Sequence, residues 1–270
     1  MVTFEVSIND KLVTVAGEPT VTILSAFIRS DRPNSKGEIN GPAQLFSMSG
    51  SRFKEEAQHH FVWANESNGS LKIGDEIRVR FIANSEAHQP LMRMTRRAPR
   101  PSLRAFNKLK KRYFALEQQM ADGIVLPPAC ELDEPIKPFV AFETFVNGKL
   151  RTVAGNAALH SLVAIITYLK PIGDLSRAPE FLREDYFSLD LVGFGKDRNF
   201  SHQIYWTPPK HKAPKLKAGD EITIRIIEAT QARRCVRRYK SSHLDDLQSE
   251  YDEVKNEYLA ARKIYEPDAV

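Results

Sequence analysis

The stretch Leu71–Ile82, LKIGDEIRVRFI, occurs a second time 145 residues later as Leu216–Ile227, LKAGDEITIRII. In both copies a Gly-Asp pair precedes residues that alternate between apolar and polar, which is typical of a turn that leads into a half-buried strand. A repeat of this kind indicates two versions of one folded unit in the same chain. The rest of the sequence can therefore be compared copy against copy.

A second matching region lies near the start of each copy. Residues 3–28 align without a gap with residues 141–166, which lie 138 positions later. Alternating apolar residues flank Asn9-Asp10 in copy one and Asn147-Gly148 in copy two. Asn-Gly in this setting is the strongest short signal for a hairpin, because both turn residues need a positive φ. We expect a β-hairpin to open each copy.

The remaining elements follow from the spacing of apolar residues. Residues 19–28 and 157–169 have apolar residues at every third or fourth position, a spacing that predicts one helix per copy. Three strand-like segments follow, and each copy ends in a longer amphipathic helix, over about 103–120 and 244–265. The predicted fold class is α+β: two tandem copies of a ββαβββα module, each with a mixed or antiparallel sheet and one packed helix.

The domain organisation is expected to follow the repeat. The first α+β repeat, 1–120, ends in a basic helix, and the second, 139–270, ends in an acidic helix. Residues 121–138 contain four prolines and several acids, which is typical of a stiff polar linker.

Composition limits the class of protein. The 270 residues carry a formal net charge of +5 and are 42% hydrophobic, values that exclude a disordered or fibrous chain. Apolar runs stay far below the roughly 20 residues that a bilayer span requires, so we expect a soluble protein without a membrane partner. The first residues lack the features of a secretory signal, and only Cys130 and Cys235 occur. A cytoplasmic location is the resulting expectation.

The opening FEVSINDKLVTVAG and the final strand LKIGDEIRVR, or LKAGDEITIR in copy two, resemble a known group of sequences. These are small, uncharacterised, single-domain bacterial proteins that end in a strand of the form L-x-x-G-D-E-[IV]-x-[IV]-R. The resemblance implies a bacterial origin and no particular activity. The expected order of hairpin, helix and strand also resembles the β-grasp fold of ubiquitin-like sulfur carriers, but this chain continues into a helix where carriers end in Gly-Gly.

The most unusual segment is the basic stretch 93–112, which contains nine cations and no acid. A second basic cluster follows the last strand of copy two. The candidate partner-binding residues are Arg93, Arg96, Arg97, Arg100, Arg104, Lys108 and Lys111, and in the second cluster Arg233, Arg234, Arg237 and Arg238. Such cations can displace counterions from nucleic acid. Alternatively, they can be neutralised by an acidic partner protein or by the acidic helix of copy two, which carries a similar apolar stripe.

No reaction centre can be assembled from the sequence. His59 and His202 occupy equivalent positions, where a strand histidine that bonds a neighbouring group is the commoner outcome. The chain has no spaced Cys or His pair of the kind that holds zinc, and Gly193–Lys196 lacks the spacing of a phosphate loop. We therefore expect no catalytic residue, no metal site and no cofactor.

These observations predict a non-enzymatic bacterial protein-interaction module that binds an acidic protein surface. A toxin-neutralising immunity protein or an adaptor is the more specific form of this expectation. The alternative is a nucleic-acid-binding protein that uses residues 93–112. The sequence leaves the oligomeric state open.

Overall fold

The computed structural model describes residues 1–31, 44–54, 57–64, 71–83, 86–97, 102–121, 138–171, 185–197, 200–207, 215–231 and 234–266. In the first half these residues form seven strands and a helix: β1 Val2–Ile8, β2 Lys11–Ala16, β3 Ile23–Asp31, β4 Gln44–Lys54, β5 Ala57–Ala64, β6 Glu76–Ala83, β7 Met92–Arg97 and α1 Leu103–Ala121.

The second half repeats this order: β8 Phe139–Val146, β9 Lys149–Ala154, β10 Leu159–Leu169, β11 Tyr186–Asp197, β12 Phe200–Tyr205, β13 Glu221–Ala229, β14 Arg237–Ser242 and α2 His243–Tyr265. The fold is therefore mixed α+β, with mostly antiparallel sheets and two helices in the described part of the chain. Neither helix is long and apolar enough to cross a membrane.

The strands form two sheets that share a hydrophobic core. One sheet has the order β2-β1-β6-β13-β8-β9, and the other has the order β14-β12-β11-β10-β3-β4-β5-β7. Phe81 on β6 stacks on Phe187 on β11 with ring centroids 4.9 Å apart, so the core joins the two sheets. Burial of apolar side chains between the sheets is the main stabilising contribution to this sandwich.

Each sheet contains strands from both halves of the chain. At the centre of the six-stranded sheet β6 pairs antiparallel with β13, and Val79 lies opposite Ile222. At the centre of the eight-stranded sheet β3 pairs with β10 over nine residue pairs, including Phe27 with Ile165. The two sequence repeats therefore build one sandwich together.

The two predicted hairpins are confirmed. β1 pairs with β2 and β8 with β9, and both pairs are interrupted by an irregularity at the same place, between Val6 and Ser7 in the first. Asn9, Asp10, Asn147 and Gly148 all have positive φ, between 49° and 72°. This is the backbone conformation that a two-residue hairpin turn requires.

The predicted helices at 19–28 and 157–169 are wrong, because these regions contain the strands β3 and β10. On β3 the buried residues Leu24, Ala26, Ile28 and Ser30 alternate with less buried ones, which is the two-residue period of a strand. β10 is a nearly continuous apolar run, and such a run cannot be assigned to helix or strand by periodicity alone. The described residues therefore do not show the predicted ββαβββα module or the order that a β-grasp likeness requires.

The described residues divide into two compact units. The first contains nearly all strand residues, and the second contains α1 and α2. These units differ from the expected domains 1–120 and 139–270, because both repeats contribute strands to each sheet and one helix to the pair. Most of the expected linker, residues 122–137, lies outside the described residues.

Candidate interaction surface on the helix pair

The second unit is built on the two terminal helices predicted from the sequence. Phe106, Tyr113 and Leu116 of α1 are buried against α2 residues Leu247, Val254 and Tyr258, with partly buried neighbours around them. These residues recur at spacings of three and four, so they lie along one side of each helix. Packing of the two apolar stripes holds the pair together.

An aromatic stack runs along the helix contact and sets its direction. Phe106, near the start of α1, stacks on Tyr258 and Tyr265 of α2, at 5.9 and 5.1 Å between ring centroids. Tyr113 stacks on Tyr251 at 5.9 Å and on Tyr258 at 4.7 Å. Earlier residues of α1 thus contact later residues of α2, so the helices are antiparallel.

The aromatic contacts repeat about a local two-fold axis. At the 145-residue spacing of the repeat, Phe106 corresponds to Tyr251 and Tyr113 to Tyr258. The contacts Phe106–Tyr258 and Tyr113–Tyr251 therefore exchange, and both have ring centroids 5.9 Å apart. The Tyr113–Tyr258 contact maps onto itself and marks the centre of the pair.

Ion pairs flank the apolar contact on both sides. Lys110 Nζ donates to Glu266 Oε1 at 2.6 Å, and Arg112 Nη2 donates to Glu250 Oε1 at 2.8 Å. The hydrogen bond to Glu266 raises the pKa of Lys110 above its ordinary value of 10.5. Two cations of the basic stretch are therefore neutralised inside the helix pair, as the charge difference between the helices indicated.

Three cations of α1 remain on the outer face of the helix. Arg104, Lys108 and Lys111 are exposed and form no ion pair with any acid in the described residues. At 3.6 residues per turn they lie on the side of α1 opposite Phe106 and Tyr113. We call these three residues the basic stripe. No acidic side chain of α1 shares this face, since Glu117 accepts the Tyr113 hydroxyl on the inner side.

The structure does not bring all of the predicted partner-binding residues together. Arg93 belongs to the first unit, where it lies 3.6 Å from Glu18 and 5.7 Å from the centroid of the Phe61 ring. Arg96 and Arg97 end strand β7, and Arg100 lies outside the described residues. Of the predicted partner-binding residues whose side chains are described, Arg104, Lys108 and Lys111 share one helix face.

The structure describes only part of the second basic cluster. Arg234 is exposed, and Arg237 on β14 stacks over the Tyr205 ring at 4.6 Å. Arg238 lies on the same strand, and Arg233 lies outside the described residues. The role of this cluster in partner binding stays a prediction.

Sequence analysis did not identify a set of acidic residues on α2 that corresponds to the basic stripe on α1. Glu250, Glu253 and Glu257 are spaced by three and then four residues, and Glu253 and Glu257 are exposed. We call these three residues the acidic stripe. Lys108 and Glu253 are equivalent positions in the two copies, as are Arg112 and Glu257, so charge is reversed at corresponding places. The spacing of these acids by three and then four residues is the sequence signal that could have identified the acidic stripe.

A cavity of about 290 Å³ lies in the first unit near Glu18, Tyr168, Lys170 and Asp185. Tyr168 donates to Asp185 at 3.0 Å, and Lys170 lies 3.4 Å from the Pro19 carbonyl oxygen. Glu18 Oε2 lies 3.6 Å from Arg93 and has no hydrogen-bond partner among the described residues. We assign no ligand to this cavity.

The histidines of the first unit have ordinary polar partners. His59 Nδ1 lies 3.1 Å from the Thr95 hydroxyl, and His60 Nδ1 lies 3.2 Å from the Ser51 hydroxyl. In the part of the chain that the structure describes, no group of three His, Cys, Asp or Glu side chains is placed to hold a metal ion. Gly193–Lys196, which lacks the spacing of a phosphate loop, lies within strand β11.

Comparison with protein-family models, curated proteins and solved structures finds no match to this chain. Its function is therefore inferred from its own residues.

Proposed function

We propose that the protein is a non-enzymatic interaction module that binds an acidic protein surface through the basic stripe. The observation that carries this proposal is that Arg104, Lys108 and Lys111 stay exposed and without an acidic partner in the described residues. Their neighbours Lys110 and Arg112, in contrast, are neutralised by Glu266 and Glu250. A rigid helix presents the three charges at fixed spacing. Complementary charge of this kind favours encounter and register with a partner more than it adds affinity.

An acidic protein partner fits the number of free cations better than nucleic acid does. Binding through three phosphate contacts would give a log–log salt dependence with a slope of only about −2.7. Proteins that bind nucleic acid tightly neutralise more phosphates than this, on the order of 6 to 10. The basic stripe instead spans about two helical turns. A row of acidic side chains on a partner protein can have the same length.

The test uses a variant of the stripe and a charge-matched control. Arg104→Gln, Lys108→Gln and Lys111→Gln together remove the stripe, whereas Lys11→Gln, Lys149→Gln and Lys217→Gln remove three exposed lysines from the first unit. We expect the intact chain and the control to retain the same protein at near-stoichiometric amounts from a lysate of the source cells, and the stripe variant to lose it. Titration of that purified protein should give the same ranking. Equal retention by all three would contradict the proposal.

A toxin-neutralising immunity protein or an adaptor is the more specific form of this proposal. The presence of a toxin gene next to the gene for this chain would support the immunity role, because an immunity protein is ordinarily encoded beside its toxin.

The second candidate function is nucleic-acid binding. Arg96 and Arg97 precede the basic stripe along the chain, which favours this alternative. Fluorescent single- and double-stranded DNA and RNA, titrated at salt concentrations from about 50 to 300 mM, would distinguish the two. Affinity that falls steeply with salt and is removed by Arg96→Gln, Arg97→Gln, Arg100→Gln and Arg104→Gln together would replace the protein-partner proposal.

A further inference from the structure

The basic stripe and the acidic stripe have matching spacing. Along α1 the cations Arg104, Lys108 and Lys111 are separated by four and then three residues. Along α2, read backwards, the acids Glu257, Glu253 and Glu250 are also separated by four and then three. Two antiparallel helices with these stripes would place the three cations opposite the three acids in order.

The two stripes do not satisfy each other within one helix pair. The basic stripe lies on the side of α1 opposite the aromatic stack, and no ion pair joins Arg104, Lys108 or Lys111 to α2 in the described residues. The hydrogen bond to Glu250 raises the pKa of Arg112, and the nearby carboxylates of Glu257 and Glu253 add to this effect, so one cation of α1 lies beside the acidic stripe. Glu253 and Glu257 still remain exposed to solvent. Glu250 has a side chain that is 44% exposed and a second carboxylate oxygen beside the one that Arg112 binds.

We propose that a second copy of this chain is one acidic partner of the basic stripe, so that α1 of one copy docks antiparallel on α2 of another. This inference rests on the proposed function, since it uses the same stripe. Different surfaces meet in such a contact, which makes it head-to-tail and extendable from copy to copy. Its charges are exposed, so the association is weak and is screened by salt.

Sedimentation of the full chain at several protein concentrations tests the inference. We expect the average mass to rise with concentration at about 50 mM salt and to return to that of the monomer at about 500 mM salt. Arg104→Glu with Lys108→Glu makes both stripes acidic, and Glu253→Lys with Glu257→Lys makes both stripes basic. Each double variant should remain monomeric at low salt, and an equimolar mixture of the two should regain association.

The controls separate this contact from general charge attraction. Lys11→Glu with Lys149→Glu changes the net charge equally but lies in the first unit, so this variant should associate like the unchanged chain. A chain that stays monomeric at low salt would overturn the inference, as would an association that the stripe variants do not alter or a mixture that fails to associate. If the chain is monomeric but still retains an acidic protein through the basic stripe, only the self-association is refuted and the proposed function stands.

Discussion

The backbone nitrogen of Gly74 donates a hydrogen bond to the carbonyl oxygen of Ile226, 2.8 Å away in the other half of the chain. The equivalent nitrogen of Gly219 donates to Phe81 at 2.7 Å, so the two contacts are reciprocal. The Gly-Asp turn of each repeat thus binds the last long strand of the other. These reciprocal hydrogen bonds help to hold the two copies of the repeated Gly-Asp motif, and the strands that follow them, at the centre of a shared sheet.

Asp75 fixes the first of these turns. Its carboxylate, which is buried, accepts hydrogen bonds from Asn9 Nδ2 and from the Lys72 backbone nitrogen, both at 2.8 Å. Asp75→Ala leaves these donors without an acceptor, so we expect the free energy of unfolding to fall by about 2 kcal/mol. Urea denaturation measures the change. Asp220→Ala should cost a similar amount, and Glu86→Ala, at an exposed position, should cost almost nothing; equal effects of all three would contradict this account.

The shared sheets predict that the halves depend on each other. Residues 1–121 alone would expose the pairing edges of β3 and β6, and residues 138–270 alone would expose those of β10 and β13. We expect the two fragments, produced together, to form a one-to-one complex with the far-ultraviolet circular dichroism of the intact chain. Two fragments that fold separately as stable monomers would show that the repeats are independent domains.

Sequence reasoning identified elements that depend on local chemistry. The hairpin at Asn147-Gly148 needs positive φ at both residues, and the stripe around Tyr113 has a clear helical period, so both were predictable from neighbouring residues. β10 was not, because its apolar run is nearly continuous and one of its two neighbouring strands, β3, lies in the other half of the chain. The sharing of both sheets by the two repeats was not predictable either. The strands would need the same apolar faces if each repeat formed a separate domain.

The candidate site was partly predictable for the same reason. The sequence showed that α1 is basic and α2 acidic, which indicated the pairing of Lys110 and Arg112 with acids. Which cations remain free depends on how the helices rotate about the Tyr113–Tyr258 contact. That rotation is set by packing of the aromatic side chains, so the basic stripe was visible only in the structure.

Two glycines lie beneath the buried tryptophans and should not tolerate a side chain. A Cβ atom at Gly193 would lie 2.9 Å from Cζ3 of Trp206, and one at Gly50 would lie 3.0 Å from Cζ3 of Trp63. The nearest atom to the Cβ added at Gly193 is Cδ1 of Leu159, at 2.5 Å, so Gly193→Ala must displace the Leu159 side chain as well as the indole ring. We expect it to lower the free energy of unfolding by about 2 kcal/mol. Thermal unfolding with tryptophan fluorescence measures this change. Unchanged stability of Gly193→Ala would argue against the steric cause.

The tyrosines at the centre of the helix pair should be energetically coupled. Tyr113 and Tyr258 stack with ring centroids 4.7 Å apart and an angle of 12° between the ring planes. In a double-mutant cycle with Tyr113→Leu and Tyr258→Leu, we expect a coupling free energy of about 1 kcal/mol beyond the loss of buried area. Chemical denaturation of the four proteins gives this value. Strict additivity of the two substitutions would mean that the stack contributes only apolar burial.

The ion pairs at the centre of the six-stranded sheet predict how stability depends on pH. Glu76 accepts hydrogen bonds from Arg225 at 2.6 Å and from Arg78 at 2.8 Å, and the bond from Arg225 is the main reason that the pKa of Glu76 lies below its ordinary value of 4.5. A carboxylate with a lowered pKa in the folded state contributes stability that is fully present above its unfolded pKa and is lost as the pH falls through the folded value.

Glu76→Gln removes this contribution, so the free energy of unfolding should change less between about pH 6 and pH 2 than in the unchanged chain. Denaturant titrations across this range measure the slope. Glu86→Gln provides the matched control, because Glu86 is exposed and forms no ion pair among the described residues, and its curve should run parallel to that of the unchanged chain. Parallel curves for Glu76→Gln and the unchanged chain below pH 4.5 would show that the two arginines do not hold the folded-state pKa down.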